Sequence, residues 1–163
     1  LRNIGHRGCI LDVSTEKASS AVVDLFCKRL GEVLTTSSKS VLFLTDEKDS
    51  ELKIQSSGVS GRTLAGNKKL DLSASHGSLD TNLLNIDLFS SSSYEHKEGK
   101  PYNHVIASLN NKVNDLVKID YVKESDFFIL IGQKGKFNLE RLKRFVDNIS
   151  SDDKKCIGFF LVS

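Results

Sequence analysis

The second half of this chain holds the feature that most limits its fold: three apolar runs of strand length alternating with two helical patterns. Tyr102 to Ser108 (YNHVIAS) is the first run. Residues 111–124 follow, with Val113, Leu116, Val117 and Tyr121 at helical spacing. Asp126 to Gly132 (DFFILIG) is a continuous apolar run, the pattern of a strand buried on both faces. Asn138 then stands as a cap before a stripe of Leu139, Leu142, Phe145, Val146 and Ile149. Cys156 to Val162 (CIGFFLV) reads as another buried strand. Strands joined through helices by short connections require crossovers, and crossovers build parallel sheets.

The first half adds a helix with Ala18, Ala21, Val22, Leu25, Phe26, Leu30 and Val33 along one side, capped by Ser14 or Thr15. The strand Val41 to Thr45 (VLFLT) comes next, then an acidic loop from Asp46 to Glu51 and a Gly/Ser-rich stretch from Ser56 to Gly66. Lys69 to Ser75 alternates like a strand, residues 78–89 fit either helix or strand, and residues 90–101 read as a polar loop. The expected fold is a single α/β domain over 1–163, three-layered, with a mostly parallel sheet of about five or six strands flanked by helices, Rossmann-like in outline.

Composition bounds the function. At 39% hydrophobic and 27% charged residues the chain is that of a folded domain, and a net charge of +2 with interspersed signs argues against a nucleic-acid partner. No apolar run is long enough to span a bilayer, so direct membrane insertion is not expected within this chain. The absence of an initiator Met suggests a piece cut from a longer, membrane-associated protein. Cys9, Cys27 and Cys156 form no CxxC pair, which fits a reducing cytoplasm; Cys27 and Cys156 read as small core residues.

Four histidines, at 6, 76, 96 and 104, share no metal-ligand spacing, so no metal site is expected. Ser14 to Lys17 matches an SxxK pattern but lacks its companion motifs and reads as a helix cap. Gly58, Gly61, Arg62 and Thr63 outline the end of a phosphate-binding loop, with Arg62 where the lysine would stand. The preceding strand ends at Thr45, however, too early for a tight strand–loop–helix cradle, and no clear helix follows Thr63.

Taken together, these segments resemble the cytoplasmic ATPase domain of bacterial polysaccharide-export tyrosine autokinases, within the ParA/MinD class of P-loop ATPases. The resemblance covers about residues 16–162 and is carried chiefly by Tyr102–Ser108, Glu124–Phe137 and Ile157–Val162. It aligns Ser40–Thr45 with the first strand and Gly58–Thr63 with the Walker A loop. It implies a P-loop NTPase-like fold whose chemistry has been lost. Ser73 and Ser75 stand for the acids of an IDAD-like motif, Ser108 for the Walker B aspartate and Arg62 for the Walker A lysine. Phosphoryl transfer rests on magnesium and placed positive charge, so these losses imply a pseudoenzyme with no catalytic residues, no metal and no cofactor.

The expected function is that of a catalytically inactive, P-loop-like module in exopolysaccharide or capsule export or chain-length control. It would lie at the cytoplasmic face of the inner membrane, form homo-oligomers and contact the membrane-embedded export machinery. Two alternatives stay open. One is a weakly active ATPase or kinase that binds ATP with magnesium through Arg62, with Asp46 or Asp71 as a displaced ligand. The other is an unrelated receiver-like or flavodoxin-like binding module.

Overall fold

The computed structural model describes residues 6–15, 18, 19, 21–46, 78–90, 101–149 and 155–163. In chain order its elements are β1 (His6–Asp12), α1 (Ala21–Thr36), β2 (Val41–Thr45), β3 (Leu79–Leu83), α2 (Ile86–Ser90), β4 (His104–Leu109), α3 (Asp115–Lys123), β5 (Phe127–Gln133), α4 (Leu139–Ile149) and β6 (Lys155–Val162). The strands form one sheet in the order β3-β2-β4-β1-β5-β6, and every pairing is parallel. Helices cover both faces, giving the three-layer, Rossmann-like arrangement expected.

Two apolar layers hold the sheet. Ile10, Val41, Phe43, Ile106, Ile129 and Ile131 pack with Val23 and Cys27 of α1. On the opposite face Cys9, Leu11, Leu42, Leu44, Ala107, Leu109 and Leu130 pack with Phe89, Tyr121, Val122, Phe145 and Ile149 from α2, α3 and α4. Alternate residues of one strand serve opposite layers, which is why the central strands read as unbroken apolar runs.

The centre of the sheet is β1, a strand the sequence reading did not assign. It pairs with β4 on one side and β5 on the other, with Ile10 opposite both Ser108 and Ile129. Val41–Thr45, aligned above with a first strand, is the second strand of the structure and lies between β3 and β4. Residues 78–89 divide into a strand, Leu79–Leu83, and the short helix α2. The strand expected at Lys69–Ser75 lies outside the described residues.

Three local expectations change. Neither Ser14 nor Thr15 caps α1; the Ser19 hydroxyl accepts from the Ala21 amide, 3.2 Å away. The fully buried residues of α1 are Val23, Asp24, Cys27 and Gly31; of those expected, Val22, Phe26 and Leu30 are partly buried against the same layer, while Leu25 and Val33 face outward. Strand β6 is an edge strand rather than a buried one: Ile157, Phe159, Phe160 and Leu161 are exposed, as is Cys156. The cap expected at Asn138 is present, its side chain accepting from the Arg141 amide at 3.0 Å.

Candidate functional site

In a parallel α/β sheet, ligands bind in the crevice beyond the carboxyl ends of the strands, where neighbouring connections leave in opposite directions. Here β1 connects through α1 toward β2, and β4 connects through α3 to β5 on the other side of β1. The crevice is therefore bounded by the ends of β1, β4 and β5 and by the connection from Asp12 to α1. That connection is a strand–loop–helix unit, the architecture of a phosphate cradle.

Its interior is polar and largely occupied by the chain itself. Asp12, Ser14, Ser108, Asn110, Asn111, Lys118 and Gln133 are all buried. Lys118 reaches in from α3, and its Nζ donates to the main-chain oxygen of Asp12 at 2.8 Å. The Asn111 amide donates to the carbonyls of Thr15 at 2.7 Å and Ala18 at 2.9 Å. The Gln133 amide donates to the carbonyl of Ser19 at 2.7 Å. The Ser14 hydroxyl accepts from the main-chain N–H of Gln133 at 2.8 Å, and the Asp12 carboxylate accepts from the Ser14 N–H at 2.9 Å. A phosphate cradle turns N–H groups toward its ligand. This loop instead turns four carbonyls toward donors supplied by α3 and by the ends of β4 and β5.

Charge in the crevice is also matched internally. Asp115 forms a two-pronged ion pair with Arg141 of α4, at 2.9 and 3.0 Å, and lies 3.8 Å from Lys118. Burial pulls the Lys118 ammonium down to a pKa of about 8, against the opposing pull of Asp115. The cation nearest the crevice is thus committed to a backbone oxygen and a carboxylate.

Of the residues singled out from sequence, Ser108 lies in β4 and is fully buried beside Ile10. Asp46 follows the end of β2, on the same edge of the sheet. Gly58, Gly61, Arg62, Thr63, Asp71, Ser73 and Ser75 lie outside the described residues. His6 and His104 do come together, stacked across β1 and β4 with ring centroids 5.7 Å apart, but at the amino ends of the strands. Among the described residues no three His, Cys, Asp or Glu side chains assemble into a metal-binding group, and no helix is long and apolar enough to cross a membrane.

Sequence reasoning missed Asp12, Asn111, Lys118 and Gln133. A signal existed for Lys118: with Asn114, Tyr121 and Val122 it falls on one helical face. Comparison with family models, curated proteins and solved structures finds no match to this chain.

Proposed function

We propose that this chain is a P-loop-like module that works by assembly and partner contact without turning over nucleotide. The carrying observation is the connection between β1 and α1. Its carbonyls at Asp12, Thr15, Ala18 and Ser19 are held by Lys118, Asn111 and Gln133. Opening that loop to a phosphate would break four hydrogen bonds to buried or part-buried groups, and leaving such groups unpaired is costly. The resemblance in residues 102–162 supports a setting in exopolysaccharide or capsule export, or chain-length control, at the cytoplasmic face of a membrane. No cofactor is required by this reading.

Self-association has a surface available in β6. That strand ends the sheet, so one side of its backbone has no strand partner among the described residues. Ile157, Phe159, Phe160 and Leu161 are 42–53% exposed, and residues 156–163 carry no charge. Long, neutral, apolar edges are the sites where sheets pair with other chains.

Sedimentation equilibrium tests the assembly. The chain is expected to self-associate with rising concentration, independently of ATP, and Leu161→Lys is expected to weaken association by tenfold or more, a fold-change on the order of 1.4 kcal/mol. A wild-type chain that stays monomeric at high micromolar concentration, or that assembles only with ATP, contradicts the proposal.

A further inference from the structure

The two edges of the sheet are built differently. At one edge, β3 is five residues long and carries Asp80, Thr81 and Asn82. The Asn82 side chain accepts from the Leu83 N–H at 2.8 Å, while the next N–H, that of Leu84, turns inward to the Thr45 carbonyl at 2.9 Å. Successive residues of a strand direct their main-chain groups to opposite sides. The amide that Asn82 covers is therefore one that faces away from β2. Short, polar, self-covered edges keep a sheet from pairing with other chains. At the other edge, β6 runs for eight residues. From Gly158 onward it has no charge and no proline, and its register with β5 is regular.

One hydrogen bond identifies the open amides of β6. The main-chain oxygen of Val162 accepts from the Lys134 N–H at 2.7 Å, so the main-chain groups of Val162 face β5. Alternation turns those of Gly158 and Phe160 the same way and those of Phe159 and Leu161 outward. No described strand pairs with that outer side. The side chains beside it extend both apolar layers. Phe160 lies against Phe26 of α1, with ring centroids 5.3 Å apart, and Phe159, on the opposite face, lies 5.7 Å from Phe137.

We infer that β6 pairs antiparallel with β6 of a second copy across a two-fold axis, hydrogen-bonded through Phe159 and Leu161, so that two six-stranded sheets become one. A second copy is the fitting occupant because an uncharged edge gives a charged partner nothing to pair with, whereas its own twin repeats the same donors, acceptors and apolar side chains. Joining β6 head to tail with β3 would meet the blunted edge. Direction follows from symmetry. In a parallel ladder a residue facing the partner lies opposite one facing away, which two identical edges set level cannot satisfy. In an antiparallel ladder facing residues lie opposite facing residues and exchange both bonds. An axis perpendicular to the sheet also keeps the α1 layers of both copies on one side. This rests on the assembly reading and adds to it the direction of pairing and the amides that make it.

The test combines sedimentation equilibrium of the whole chain with the distance between nitroxide labels on Cys156, the exposed cysteine. Antiparallel pairing through Phe159 and Leu161 offsets the two Cys156 residues by about six to ten positions, which at about 3.4 Å per residue puts the labels roughly 20–40 Å apart. A dimer that grows no further and shows that separation is expected. Leu161→Pro deletes an outward donor and leaves the ladder to β5 intact, a change that edge strands tolerate. It is expected to weaken the dimer roughly tenfold or more, whereas Leu161→Val, which keeps the donor, stays within about threefold of wild type. Labels outside that range, growth beyond a dimer, or equal association of the two variants would overturn the inference while leaving the assembly reading in place. A wild-type chain that stays monomeric would overturn both.

Discussion

Lys118 is the residue on which the centre of the molecule turns. Its burial lowers its pKa to about 8 from the usual 10.5. The sign of the consequence is fixed. Above pH 8 the folded chain releases this proton while the unfolded chain keeps it up to about 10.5, so the stability contributed by Lys118 rises with pH across that window. Below pH 8 both states are protonated and the dependence vanishes. Compared with Lys118→Met, the wild-type chain is therefore expected to gain stability between pH 8 and 10, by up to about 2–3 kcal/mol. Urea unfolding at several pH values measures it; a difference flat with pH contradicts the burial. The cysteines give a second prediction. Cys9 and Cys27 are buried and Cys156 is exposed, and burial pushes the Cys9 thiol up to about 12 while Ser125 donates to its sulfur at 3.3 Å. One thiol per native chain is expected to react with a disulfide reagent, and all three after unfolding. Rapid native labelling of Cys9 would contradict the packing of β1.

At the scale of elements, caps and registers explain what was legible in the sequence. Asn138 was read as a cap and is one, because a short side-chain acceptor before an apolar stripe has few other uses. Asn138→Ala is expected to cost about 1 kcal/mol, measurable by chemical unfolding. β5 was legible because burial on both faces demands an unbroken apolar run. β1 was not, because its buried stretch includes Gly8, Cys9 and Asp12 and offers only Ile10 and Leu11 as strong apolar residues. The face of α1 was read in part: Val22, Phe26 and Leu30 do pack against the sheet, but Leu25 and Val33 do not. Close approach to the sheet selects small residues, so Cys27 and Gly31 face inward, with Gly31 against Phe43 and Leu79, and bulky Leu25 and Val33 are left outside. The crevice was least legible of all. Asn111 and Gln133 carry no motif, and only the register of β4 and β5 brings them to the loop after β1.

At the scale of the whole molecule, an all-parallel sheet with helices on both faces creates a crevice at its carboxyl edge, and this chain fills that crevice with its own donors. One arrangement brings the donors together: α3 delivers Lys118, the residues after β4 deliver Asn111 and β5 delivers Gln133 to a single loop. The proposed assembly would use the other edge of the sheet, where β6 leaves Ile157, Phe159, Phe160 and Leu161 exposed. Calorimetric titration of the whole chain with ATP, with and without Mg²⁺, tests the central claim most directly. The account predicts no binding heat at millimolar nucleotide in either condition. Saturable, Mg²⁺-dependent binding would contradict it, and would mean that the loop held by Asn111, Lys118 and Gln133 opens to admit a phosphate.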